Sequence, residues 1–264
     1  MDAAREEIAF LARSENRVAV LSTLDTEPLG RAELQQQAAV ERVTLGRILS
    51  DFEDRGWVRK TGREYALTPT GEMIVGDFEQ LLTTVTAAQK LDSVVQWLPT
   101  EEMPFDLRHL GSADITLPDK TDPAAPTRRA GQRLQTTENV RILMSVIVAE
   151  VVEACWAATV NGDQQFEAVF TADVLETIRA DPTMSTKLRE MLILDPVTVY
   201  RFEEDFPFTM GILDNIAAFG VTDDESLPRA YFETGNKVVR DWMEEIYNQH
   251  KQGAVQVDPE EFGA

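Results

Sequence analysis

The sequence predicts an α+β protein of two domains, the second with α/β character, on three observations. Within the first 70 residues, segments with apolar residues at helical spacing give way to two short alternating segments joined by Gly62-Arg63. From Asn139 onward β-branched runs alternate with helical ones, the order of a layered sheet-and-helix domain. Between the two lies a Pro-bounded break, Pro99 to Pro104.

The first element is a helix over Ala3–Arg13. Ser14 is an N-cap for a second, reaching about Leu24 with Val18 and Leu21 inward. Asp25-Thr-Glu-Pro28 is turn chemistry. A short helix follows around Arg31–Ala38, anchored by Leu34, then a turn through Ala39-Val40 and a third helix over Arg42–Arg55. There Leu45, Ile48, Leu49 and Phe52 form one apolar face, and Gly56 stops the helix. Trp57–Thr61 and Glu64–Thr68 read as a hairpin. Thr68-Pro69 starts a long helix expected to reach Leu98, with Ile74, Phe78, Leu81, Val85, Ala88 and Val95 at three- and four-residue steps and Asp92 interrupting them. Pro118, Pro123 and Pro126 mark a long loop. Strands are expected at Val140–Val148 and Phe166–Phe170, and helices at Glu150–Thr159, Ala172–Arg179 and Thr186–Ile193. Val197–Phe202 and Phe208–Leu213 are expected as a strand pair, with short strands at Ala217–Val221 and Ala230–Glu233 and a closing helix at Asn236–Gln252. The expected divisions are 1–70, a linker or dimerisation helix 71–98, an α/β domain 99–253 and an acidic tail 254–264.

Charge separates the two halves. The chain carries 46 Asp plus Glu against 25 Lys plus Arg, and only six of those cations are Lys. An acidic, Lys-poor, Arg-rich surface suits molar salt, where carboxylate repulsion is screened to about 3 Å; an ordinary acidic protein is the alternative. Residues 1–70 hold ten cations and twelve anions, net −2, leaving −19 for the rest. The single cysteine, Cys155, excludes an internal disulfide framework. The chain opens acidic and helical, so no leader is expected. Arg141, Glu150 and Glu153 break the longest apolar stretch, arguing against a membrane span. The expectation is a soluble cytoplasmic protein.

A helix–turn–helix followed by a hairpin is the order of a winged helix. Thr44-Leu-Gly-Arg-Ile-Leu-Ser-Asp-Phe-Glu-Asp-Arg-Gly-Trp-Val, with the Thr-Gly-Arg wing and Leu67-Thr-Pro-Thr-Gly, resembles winged-helix regulators of archaea. A second stretch does so independently: Phe208-Thr-Met-Gly-Ile-Leu-Asp-Asn, Phe219-Gly-Val-Thr-Asp-Asp, Pro228-Arg-Ala, Glu233-Thr and Val239-Arg-Asp-Trp. It resembles the end of the effector domain in archaeal methanogenesis-type regulators, haloarchaeal members above all. Residues about 100–205 match only loosely. The resemblance implies a sequence-specific DNA-binding transcription regulator with an effector domain, and it says nothing of the effector.

In that reading double-stranded DNA is the partner. Arg42, Thr44, Arg47 and Ser50 face outward from the third helix, and Arg59, Lys60 and Arg63 grip the backbone from the hairpin. Solvated surface cations are the alternative for each. A homodimer is expected, through helix 71–98 or the second domain. For an effector such as an anionic, phosphorylated metabolite, Arg128, Arg141 and Arg201 are the candidates, beside Arg129 and Arg133; salt bridges to the surplus carboxylates are the competing account. Two histidines, His109 and His250, with one cysteine give no metal spacing. No phosphate loop or nucleophile elbow is found, so no catalytic residue, metal or cofactor is expected and the chain is not read as an enzyme. Cys155, in an apolar helix, reads as an inert buried thiol. The runner-up function is a basal-type winged-helix factor that contacts the transcription machinery without an effector.

Overall fold

The computed structural model describes residues 2–160, 162, 164–206, 208–223, 225 and 227–262. The chain divides into two compact units, Met1–Thr86 and Ala87–Ala264. The first holds α1 (Asp2–Ala12), α2 (Glu15–Thr26), β1 (Leu29–Gly30), α3 (Arg31–Gln37), α4 (Arg42–Asp54), β2 (Val58–Thr61), β3 (Glu64–Leu67) and the start of α5 (Pro69–Leu91). Its small antiparallel sheet has the order β1-β3-β2. Strand β1 was not expected: two residues are too short for alternation to show, and pairing of Leu29 with Tyr65 makes it a strand.

The core of this unit follows from periodicity. Leu45, Ile48, Leu49 and Phe52 turn one face of α4 onto Val20, Leu21, Leu24 and Leu34. Phe10, Phe52 and Trp57 meet edge-on or tilted, with ring centroids 5.8–6.2 Å apart. The guanidinium groups of Arg17 and Arg55 lie over the Phe10 ring at 3.7 and 3.6 Å. The hairpin turns on two residues, with Thr61 opposite Glu64 and Gly62 at φ 64°. Thr68 caps α5 by accepting from the Gly71 N–H at 3.1 Å. Gly71 is needed there, because a Cβ would meet the Trp57 carbonyl oxygen at 2.1 Å.

Helix α5 ends at Leu91, short of the expected Leu98; a 3-10 turn at Val95–Trp97 follows. Its apolar residues serve different ends. Val75 and Phe78 are buried in the first unit and Ala87 and Leu91 in the second. Leu81, Leu82 and Val85 between them stay 43–46% exposed.

The second unit is built on a mixed eight-stranded sheet of order β11-β7-β6-β5-β8-β9-β10-β4. These strands are β4 (Asp114–Thr116), β5 (Asn139–Met144), β6 (Gln165–Thr171), β7 (Val197–Phe202), β8 (Thr209–Leu213), β9 (Ile216–Thr222), β10 (Pro228–Thr234) and β11 (Val255–Gln256). Strands β5, β6 and β7 are parallel, crossing over through α7 (Ala149–Val160), then α8 (Ala172–Ala180) and α9 (Pro182–Leu192). With α6 (Ala125–Gln135) these helices bury one face of the sheet. On the other face lie α10 (Lys237–Gln252) and the segment from Leu91 to Leu110.

Four expectations are corrected here. The Pro-rich stretch is not loop throughout: Pro126 opens α6 at a position where its missing N–H is harmless. Leu134 alone signals an apolar face, which hid the helix from a pattern search. Strands β7 and β8 are not partners, because β7 pairs with β6 and β8 runs antiparallel to β5. Strand β5 stops at Met144, where its ladders with β6 and β8 run out, so Val146 and Val148 are not strand residues. Finally, 254–264 is not a free tail: Val255–Gln256 pair with β7, and Val257 and Phe262 are buried in the core.

Candidate nucleic-acid interface and effector cavity

Helix α4 presents two unlike faces. While Leu45, Ile48, Leu49 and Phe52 are buried, Arg42, Val43, Arg47 and Ser50 are exposed and Thr44 is half-buried. Beside them the hairpin exposes Arg59, Lys60 and Arg63, with Lys60 Nζ 5.4 Å from the Tyr65 ring. Arg31, which the sequence reading did not single out, also belongs here. Its guanidinium donates to the Arg42 carbonyl at 3.2 Å and lies where a side chain on Gly46 would be. Its signal was available only as a cation at the start of the preceding helix.

None of Arg31, Arg42, Arg47, Arg59, Lys60 and Arg63 makes a salt bridge among the described residues, although anions outnumber cations nearly twofold. Arg17 and Arg55, at the back of the same domain, are held by Asp51 and Glu7.

Arginines of the second unit are mostly paired. Arg128 is held by Asp122, Arg141 by Glu244 at 2.8 Å, and Arg201 by Glu203 at 2.8 Å and Glu261 at 3.4 Å. Arg129 and Arg133, one turn apart on α6, both reach Glu233, which is 6% exposed on β10. The structure therefore does not gather Arg128, Arg141 and Arg201 into one anion site. They lie on α6, β5 and β7, each against a carboxylate.

A cavity lies elsewhere in this unit, between the sheet and helices α6 and α7, with a volume near 400 Å³. Its floor is Gly211, Ala218 and Gly220 on β8 and β9; Ala130 and Leu134 of α6 and Val151 of α7 roof it; Tyr231 walls it on β10. None of the candidate arginines lines it.

His109 stands 3.5 Å from the Asn236 amide, and His250 packs on Phe202 and Phe206 with its Nδ1 2.8 Å from the Ile246 carbonyl. Cys155 is buried, and burial pushes its thiol up to about 12. No cluster of three or more His, Cys, Asp or Glu residues able to hold a metal occurs among the described residues. Among them, too, no helix is long and apolar enough to cross a membrane.

Comparison with known proteins accounts for both units. Residues 5–90 match the HVO_A0261 N-terminal domain, and residues 123–253 match the middle domain of the methanogenesis regulatory protein FilR1. No curated protein matches the chain. Among solved structures it is similar to TrmBL2, an archaeal chromatin protein, at 14% identity and TM-score 0.42 over 91% of this chain and 93% of that one. A phospholipase D family member, Nuc from Salmonella typhimurium, is similar at 10% identity and TM-score 0.41, over 55% of this chain and 99% of its own. A transcriptional regulator of the IclR family from Rhodococcus sp. is similar at 12% identity and TM-score 0.22, over 93% and 94%. The chain therefore joins an HVO_A0261-type N-terminal domain to a FilR1-type middle domain.

Proposed function

We propose that this chain is a transcription regulator that reads double-stranded DNA with α4 and the β2–β3 hairpin, and whose second unit takes a small-molecule effector. One observation carries the DNA reading: six cations around α4 and the hairpin, unpaired among the described residues, lie on one small domain of a strongly acidic chain. Elsewhere carboxylates capture most arginines, so leaving these free suits phosphate and guanine as their partners. Arg42 and Arg47 are base-edge or phosphate ligands, Thr44 and Ser50 lie beside them, and Arg59, Lys60 and Arg63 hold the backbone across the hairpin.

The regulator acts as a homodimer. A single helix in one half-site binds weakly when salt suppresses counterion release, and two linked copies restore the affinity. Leu81, Leu82 and Val85, exposed within one turn on α5, are the contact surface for a second copy. No step of this function is catalytic, and the acidic, Lys-poor surface is an adaptation to a cytoplasm of high salt.

Genome-wide occupancy tests the reading. Discrete, dyad-symmetric sites are expected, with electrophoretic shifts that distinguish an operator from its scrambled version. Uniform occupancy of promoters would instead indicate a basal factor that contacts the transcription machinery.

A further inference from the structure

We propose that the cavity of the second unit binds a small, uncharged, largely apolar molecule carrying one hydroxyl or carbonyl group, and that Tyr231 recognises that group. This rests on the effector-sensing reading above and changes the expected ligand from a phosphorylated metabolite.

The cavity is built by the sheet ladder. Ile142, Gly211, Ala218 and Glu233 stand opposite one another across β5, β8, β9 and β10, and Thr209, Gly220 and Tyr231 form the adjacent row. The first row dips at Gly211 and Ala218 and the second at Gly220, and both rise at their flanks. Helices α6 and α7 rest above that dip, with Ala130 and Val151 among the residues facing it. A Cβ on Gly220 would meet nothing nearer than the Ala230 carbonyl, 4.0 Å away. A half-open space near 400 Å³ is of ligand size.

The lining decides the chemistry. Its side chains are mainly Leu134, Ile142, Met144, Val151 and Leu213, and its one charged residue is Asp205, an exposed carboxylate. Without a cation in the wall, a phosphate or carboxylate would be desolvated with nothing to offset it. Arg129 and Arg133 lie outside the lining, and both turn to Glu233. The polar handle is Tyr231, a residue 7% exposed that lines the cavity and whose hydroxyl makes no hydrogen bond among the described residues. That oxygen is not sealed off in the interior, so a ligand in the cavity can pair with it. Val146 and Val148, 42% and 37% exposed between β5 and α7, put apolar surface at the mouth, where an apolar ligand would cover it.

The test is a fluorescence titration of the full chain with N-phenyl-1-naphthylamine, an uncharged dye that brightens in apolar surroundings. Saturable binding of one dye per chain is expected, displaced by 1-naphthol and not by glucose 6-phosphate. Gly220→Leu from the floor and Ala130→Leu from the roof should each weaken dye binding at least tenfold with the melting temperature retained. Using both walls guards against one variant failing to fold. Tyr231→Phe should weaken 1-naphthol severalfold and leave naphthalene unchanged. Non-saturable dye uptake, full affinity in both filled variants, or displacement by glucose 6-phosphate would each overturn the proposal. It fails separately from the sensor reading. Dye binding in the cavity that leaves operator affinity unchanged supports the ligand class and removes the sensor role. A sugar phosphate that shifts operator affinity without entering the cavity keeps the sensor role and overturns the ligand class.

Discussion

Arg129 Nε on α6 stands 2.5 Å from Glu233 Oε2 on β10, and this pair fastens the roof helix of the cavity to the sheet beneath it. Arg133, one helical turn on, reaches the other carboxylate oxygen at 3.4 Å. Removing Glu233 leaves two guanidinium groups facing a nearly buried position without a counterion. Glu233→Ala should therefore lower stability by about 2 kcal/mol, less than for a fully buried pair because both arginines are partly exposed. Urea unfolding measures it. An unchanged midpoint would mean that apolar packing alone holds α6.

Arg47→Ala should lose about 1–3 kcal/mol of operator binding and much of the discrimination against scrambled DNA, because Arg47 stands on the exposed face of α4 without a salt bridge among the described residues. Arg63→Ala, at the hairpin tip, should weaken operator and scrambled DNA alike and flatten the salt dependence. Binding isotherms on both DNAs separate the two roles. If Arg47→Ala binds both sequences as the parent does, α4 is not the reading helix.

Light scattering in molar KCl should give about twice the 29.6 kDa chain mass. Introducing charge on the exposed α5 stripe, as Leu81→Glu with Val85→Glu, should return a folded monomer with weaker operator binding. A dimer that survives both changes would place the interface in the second unit.

A net charge of −21 should make the fold depend on screening. The melting temperature should climb as KCl rises from about 0.1 M, where the Debye length is about 10 Å, to molar concentration. Operator affinity over the same range should pass through a maximum or stay nearly flat. A constant melting temperature with a steep log–log loss of affinity would refute the salt adaptation.

Burial holds the Cys155 thiol protonated up to about 12, against an ordinary value near 9. In the unfolded chain the thiol ionises above about pH 9, which favours unfolding. The contribution is thus intact below 9 and lost as pH rises from 9 towards 12, at about 1.4 kcal/mol per pH unit. Wild type should lose that much more stability than Cys155→Ala between pH 9 and 10.5, and native Cys155 should resist alkylation at pH 8. Parallel pH profiles would show that the thiol ionises in the folded state.

How much of this was legible in the chain itself depends on the range of the interactions involved. The apolar stripe of α4, the Gly62 hairpin and the Thr68-Pro69 helix start are local patterns, set by helix periodicity, a positive φ and a cap, and each lies where the residues place it. The outward positions Arg42, Arg47 and Ser50 follow from the same periodicity, since burying one face of a helix exposes the other. The charges of Arg128, Arg141 and Arg201 were equally plain, as were the neighbouring carboxylates Asp122 and Glu203, but the distant partners were not. Glu244 lies 103 residues from Arg141 and Glu261 lies 60 from Arg201, so only the folded topology brings them together. The cavity was invisible for a related reason. Gly211, Ala218, Gly220 and Ala130 carry almost no hydrophobic signal. They enclose a space only because sheet pairing aligns three of them under a helix more than 80 residues earlier in the chain.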